Sequence, residues 1–162
     1  MTEISPAQEN FAKTPSSSMV EMTELVLPND TNALGNLLGG RMMHWMDIAG
    51  GMAAMRHSNR VVATIAVDCL DFRHPVRMGE IVTLKAKLTW VGRTSMEVMV
   101  NAYAENPRSG ASQLTNTAYF IFVALDDQGK STPVPKLTLE SDAEREEYAK
   151  AECRRDQRVC RK

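Results

Sequence analysis

Asn32-Ala-Leu-Gly-Asn-Leu-Leu-Gly39-Gly40-Arg-Met-Met-His44-Trp-Met-Asp47-Ile-Ala-Gly50-Gly51-Met-Ala-Ala54 is a polar, glycine-rich turn running into an apolar segment. From Met42 to Met55, Asp47 is the only formally charged side chain. The spacing predicts a helix over 41–57, with positions 43, 46, 47, 50 and 54 on one stripe and 42, 45, 49 and 53 on the next. Asp47 then shares with Met43, Met46, Gly50 and Ala54 the face that a globular helix buries. An ionised carboxylate is costly there unless it is paired, opened to a solvent pocket or put to work. A general base acting near neutral pH is one such use. An aspartate capped by a backbone amide or a lone arginine is the other, and spacing leaves both open.

On the amino side of this stretch, Met19 to Leu27 sets Val20, Met22 and Val26 to one side, and Pro28-Asn29-Asp30 supplies a turn, so a first strand ends there. On the carboxyl side the helix should stop near His57-Ser58-Asn59. Val61 to Phe72 is rich in β-branched residues and apolar on both parities until Asp68, which predicts an interior strand covered on each face. Arg73-His74-Pro75 breaks it. Glu80 to Trp90 alternates, with Val82, Leu84, Ala86, Leu88 and Trp90 on one face. Gly92-Arg93 marks a tight connection into Ser95 to Ala104, so the pair reads as an antiparallel hairpin. Leu114 to Leu125 predicts a further strand inside the sheet. One long helix with five strand runs is an α+β pattern, in which a long antiparallel sheet must curl around its single helix.

The chain of 162 residues fits one domain, and a net charge of −1 gives no polycationic signature for nucleic acid or anionic lipid. Cys69, Cys153 and Cys160 form no C-x-x-C pair and leave one cysteine over in any disulfide scheme. That argues against a disulfide framework and a zinc site, and suits a reducing compartment. The amino terminus lacks the basic start and apolar run of a secretory signal, and no stretch approaches the length of a membrane span, so the expectation is a cytoplasmic protein. Residues 1–18, with Pro6, Pro15 and Ser16-Ser17-Ser18, read as a flexible tail, 19–136 as the folded domain and 137–162 as a charged helix or tail. Ser141 with Glu144 forms a candidate capping box, and the thin apolar stripe after it predicts a solvated helix on which Cys153 and Cys160 are bystanders.

Four motifs recur in order over residues 19 to 136: Pro28-Asn-Asp30-Thr-Asn32-Ala-Leu-Gly35-Asn-Leu-Leu-Gly39-Gly40, then Met46-Asp47, Val67-Asp68 and Val91-Gly92-Arg93-Thr94-Ser95. Together they resemble the bacterial acyl-CoA thioesterases of the hotdog fold. The resemblance implies a hotdog domain that hydrolyses acyl-CoA to a free fatty acid and coenzyme A, without metal or redox cofactor. It also implies a dimer at least, often a trimer of dimers, with the site assembled between two subunits. Asn32 is carried over as the companion of Asp47, one protomer's Asn32 facing the other's Asp47. Read alone, Asn32 is a turn residue.

A thioester hydrolase needs a polarised carbonyl, an activated nucleophile and room for its substrate. Unpaired amides at a helix start can receive the thioester oxygen, which makes Gly39 and Gly40 candidates for an oxyanion site, an ordinary glycine turn being the alternative. Asp47 would act as general base on water or attack the thioester directly. Arg93, Thr94 and Ser95 match a family motif and are the candidates for holding the anionic nucleotide of coenzyme A, ahead of Arg56, Arg60, Arg73 and Arg77. Met42, Met43, Met46, Met52 and Met55 would line an acyl site or simply form core. No serine lies in a G-x-S-x-G elbow, and His44, His57 and His74 show no metal spacing, so a serine triad or metal hydrolase is not expected and His44 reads as structural. A non-catalytic acyl-CoA-binding regulator on the same fold is the alternative, though eighteen unstructured residues leave no room for a DNA-binding module. A hotdog hydratase fits less well, because its acid pairs with a histidine shortly after it and His57 lies ten residues beyond Asp47.

Overall fold

The computed structural model describes residues 11–160. Helix α1 runs Gly39–Ser58, two residues earlier than the spacing predicts. Its start is set by the loop before it: Leu38, still extended at ψ 132°, donates its amide to the Asp30 carbonyl at 2.9 Å, and helical geometry begins at the next residue. Its end is Asn59, left-handed at φ 53°, whose amide returns to the Met55 carbonyl at 2.8 Å. Asparagine tolerates that conformation better than most residues.

Five strands, β1 (Val20–Leu25), β2 (Val61–Phe72), β3 (Ile81–Val91), β4 (Ser95–Glu105) and β5 (Ser112–Leu125), form one antiparallel sheet in the order β1-β3-β4-β5-β2. Its concave face presents Leu84, Ala86, Val98, Val100, Phe120 and Phe122, all buried, to Met42, Trp45, Met46, Ala49, Ala53 and Ala54 of α1. The helix sits deep because its contact stripe is small. A Cβ added at Gly50 would lie 3.1 Å from the Phe122 ring and 3.3 Å from Val100, closer than side chains normally approach. His57, sealed at the end of α1, donates Nε2–H to the Pro135 carbonyl at 2.9 Å. Burial holds its pKa below the ordinary histidine value, so the ring stays neutral.

Four expectations need correction. β2 is not an interior strand: it is an edge, with Val61, Ile65 and Phe72 exposed. Apolar residues on both parities mark a strand destined for cover, and the described residues supply no strand beyond that edge. Trp90 does not continue the inner face of β3. Leu88 pairs with Val98 but Trp90 with Glu97, so a bulge at Thr89 turns the indole to the outer face, beneath Arg155.

Of the expected flexible tail, residues 11–18 are instead tied down. Lys13 exchanges backbone bonds with Lys136 and Thr138 at 2.9 Å each, and Ser16–Ser18 form a 3-10 turn with Ser18 buried. Residues 1–10 lie outside the described residues. The terminal helix α2, Asp142–Cys160, has the predicted cap, with Glu144 N donating to Ser141 Oγ at 3.2 Å and Glu140 N to Glu144 Oε2 at 2.7 Å. It is not solvated on all sides: Ala151 is buried and Arg154 reaches Glu97, a fully buried carboxylate of β4. Polar pairing onto the sheet does what an apolar stripe would otherwise have done.

Candidate active site

Asp47 sits half-buried, one step round α1 from the stripe that faces the sheet. Met46, Gly50 and Ala54 are buried as the spacing predicts, but Met43 on the same stripe is 37% exposed. Asp47 is therefore at the border between core and open surface, where a carboxylate can meet solvent and still be oriented. One oxygen is oriented: Thr64 Oγ1 of β2 donates to Asp47 Oδ1 at 2.7 Å. No arginine or lysine pairs with Asp47 among the described residues, which leaves Oδ2 open on a face with no neutralising cation.

Thr64 is the residue that sequence reasoning missed. It stands opposite Phe122 in the β2–β5 ladder, and Phe122 packs on Gly50 of α1, so Thr64 also faces the helix. A signal was present: in Val61-Val-Ala-Thr64-Ile-Ala-Val67 it is the only polar side chain of an apolar strand.

The start of α1 has no side-chain cap, because the N-cap position is Leu38. The Leu38 carbonyl takes the amides of Arg41 and Met42, both at 3.0 Å, while those of Gly39 and Gly40 have no partner among the described residues. Space around Gly40 is open, whereas a Cβ on Gly39 would lie 3.3 Å from the Phe72 ring. Arg41 is turned aside to Asp30 at 2.9 Å, so the end of the helix is kept clear. Beside it, Leu37, Met42, Phe72, Pro75 and Val76 line an apolar cleft of about 270 Å³ with Arg73 and His74 at its rim.

Asn32 holds the preceding turn, accepting the amides of Leu34 at 3.0 Å and Asn36 at 3.2 Å on Oδ1. The side-chain NH2 of this exposed residue remains available. Arg93 is exposed, with no ion-pair partner among the described residues, on a connection whose Arg93 and Thr94 carbonyls accept from Val134 and Ala124 at 3.0 Å each. Gly92 in this loop is required sterically, since a Cβ would come within 2.6 Å of the Trp90 ring. Ser95 pairs with Val123 and Val123 with Ala63, which sets the loop two strands, or about 10 Å, from the Thr64 end of β2. His44 is exposed and takes part in no hydrogen bond with the described residues, so the structural role expected of it is not seen.

Eight residues separate Gly39 from Asp47, about 12 Å along the helix axis. An oxyanion donor and a base must both come within about 3 Å of the reacting atoms, so these two groups of one chain cannot serve the same thioester. Beside these groups the outer edge of β2 is unpaired among the described residues.

A five-stranded antiparallel sheet curled round a single long helix is the hotdog architecture. The model of the thioesterase superfamily matches residues 34–111. The chain is 39% identical over 127 residues to YkhA of Bacillus subtilis, described as an uncharacterized acyl-CoA thioester hydrolase, covering 78% of this chain and 74% of that one. It belongs to the acyl-CoA thioester hydrolases of that superfamily. The crystal structure of an acyl-CoA hydrolase from Bacillus cereus superposes with a TM-score of 0.88 at 36% identity over 93% of this chain and 92% of that one. An acyl-CoA hydrolase from Staphylococcus aureus, solved in complex with butyryl coenzyme A and coenzyme A, gives 0.86 at 33% identity over the same shares, 93% and 92%. That enzyme has also been solved with single alanine replacements of an aspartate, an asparagine and a threonine. No helix of the described residues is long and apolar enough to cross a membrane.

Proposed function

We propose that this protein hydrolyses acyl-CoA thioesters to a free fatty acid and coenzyme A, with Asp47 as general base or nucleophile. The observation that carries the reading is the Asp47–Thr64 pair: a carboxylate oriented through one oxygen, its other oxygen open, beside an unsatisfied strand edge. Water held by Oδ2 gives up a proton to Asp47 as its oxygen attacks the thioester carbon. The developing oxyanion is received by the Gly39 and Gly40 amides of the partner subunit. Collapse of the tetrahedral species breaks the carbon–sulfur bond, and the thiolate of coenzyme A leaves and takes up a proton. Attack by Asp47 itself would begin from the same oxygen. Asn32 of the partner subunit, with its side-chain NH2 unused in the turn, would orient the water or the substrate carbonyl. The aspartate, asparagine and threonine replaced in the S. aureus enzyme are the residue types of Asp47, Asn32 and Thr64.

The unit we infer is a dimer through β2, which would cover Val61, Ile65 and Phe72 and join two sheets edge to edge. Three such dimers would make the hexamer described for an acyl-CoA thioesterase of the same fold, which has a TM-score of 0.89 at 34% identity. A cytoplasmic setting is supported by three free, exposed cysteines.

Arg93, with Thr94 and Ser95, is assigned to the coenzyme A nucleotide because it is an exposed cation on a backbone-anchored loop. The test is thiol release from acyl-CoA esters of two to sixteen carbons, alongside a short thioester without the nucleotide. Release from the CoA esters supports the hydrolase. Binding without release would favour the non-catalytic regulator. Arg93→Ala should raise KM for the CoA ester by about tenfold, the scale of one charge-assisted contact, and leave the short thioester unchanged. Equal effects on both would take Arg93 out of nucleotide binding.

A further inference from the structure

Helix α2 lies beyond the stretch matched by the family model, yet it carries the protein's most buried ion pairs among the described residues. Glu97 is fully buried, and Arg154 meets it with Nη2 on Oε1 at 2.8 Å and Nε between both oxygens at 3.2 and 3.3 Å. Thr89 Oγ1 adds a bond at 2.8 Å, and the Arg154 guanidinium lies 3.7 Å above the Tyr119 ring. One turn further on, Arg158 Nη1 pairs with Asp68 of β2 and reaches Glu97 at 3.5 Å.

Asp68 and Thr64 are four residues apart on one strand, and in a regular strand they would point the same way. They do not. Thr64 is opposite Phe122 but Ala66 is opposite Ile121, so Ile65 is an extra, unpaired residue that reverses the parity after it. Asp68 then falls opposite Tyr119, on the outer face beneath α2, while Thr64 stays on the inner face against Asp47. A second irregularity follows between Asp68 and Asp71, where Cys69 is held at φ 50°, a conformation a non-glycine residue adopts at some cost. Within a single chain this doubly bulged edge strand has a ladder on one side only, and among the described residues α2 holds its outer face through Arg158, tying β2 to β4 across β5.

We propose that α2 is a positioning strap for Asp47: Arg158 holds Asp68, Asp68 holds the bulged register of β2, and that register aims the Thr64 hydroxyl at the carboxylate. The inference rests on the reading of Asp47 as the acting group. Arg158 touches no substrate in this account and acts only through Thr64.

The test uses the full chain, with kcat and KM measured on butyryl-CoA and amide hydrogen exchange measured over Ile65–Asp71. Arg158→Met should lower kcat about tenfold, as small misplacements of a reacting group do, with KM little changed and exchange in Ile65–Asp71 accelerated. Arg158→Lys, which keeps the charge, should recover most of that loss. In a Thr64→Ala background, Arg158→Met should cost nothing further, because the group it positions is gone. Wild-type kcat in Arg158→Met, or the same fold-loss in both backgrounds, would overturn the strap. An inactive wild-type chain would sink the hydrolase reading instead, and the strap would then stand or fall on whether Arg158→Met speeds exchange over Ile65–Asp71.

Discussion

Asp47→Asn lowers kcat by about 10² to 10⁴-fold, the usual scale for a lost general base, while KM for the CoA ester stays nearly constant. The substitution is close to isosteric, and the amide keeps an oxygen to accept the Thr64 hydroxyl that now bonds Oδ1 at 2.7 Å. Neither packing nor the charge balance of the core should change, because Asp47 has no cationic partner among the described residues to be left behind. What disappears is the basic oxygen facing outward. Steady-state kinetics on purified variant, with the folded state checked by its melting profile, reads this directly. Turnover at the wild-type level would remove Asp47 from the mechanism.

Arg154→Ala destabilises the folded chain by about 3–5 kcal/mol, the cost of breaking a buried ion pair from one side. The Glu97 carboxylate would remain sealed under α2 with Thr89 at 2.8 Å and only the more distant Arg158, at 3.5 Å, to balance it. Burial works against the charged guanidinium of Arg154, but its bonds to Glu97 and Glu147 outweigh that and hold its pKa above the ordinary arginine value, so the guanidinium is charged throughout the working pH range. Replacing both partners, Glu97→Leu with Arg154→Leu, should recover most of the loss, since no desolvated charge is then stranded. Denaturant unfolding of the two variants decides it. A single variant within 1 kcal/mol of wild type would mean that α2 is only loosely seated on the sheet.

The central helix was legible because its chemistry is local: a glycine turn, small residues at helical spacing and one acid in an apolar run. β3 and β4 were legible for the same reason, as their alternation is written along the strand, and β5 as a run apolar on both parities between two turns. What escaped depends on partners. β2 reads as an interior strand since its residues are apolar on both parities, and only pairing order reveals it as the edge. The bulges at Ile65 and Thr89 insert single residues that no pattern announces, yet they decide which way Asp68 and Trp90 point. α2 looks solvated because its docking is ionic: Arg154 and Arg158 resemble surface charges until the buried Glu97 across from them is known. Within the candidate site, the position of Asp47 on the helix and the glycines at the helix start could be read from the sequence. Thr64 could not be matched to Asp47 without the sheet, although its isolation in an apolar strand was a clue.

The measurement that tests the shared site most directly mixes two defective chains. Asn32→Asp keeps the oxygen that accepts the Leu34 and Asn36 amides, so the turn survives, but it removes the side-chain NH2. Asp47→Asn removes the base. Unfolded together in equal amounts and refolded, half of the dimers carry one of each chain, and each such dimer has one site in which both residues are intact. Thiol release from the mixture should exceed the mean of the two parents several-fold and approach about a quarter of the wild-type rate. A rate equal to the parental mean, with dimers of mixed composition shown to be present, would contradict the account, because it would mean that every site is built within a single chain.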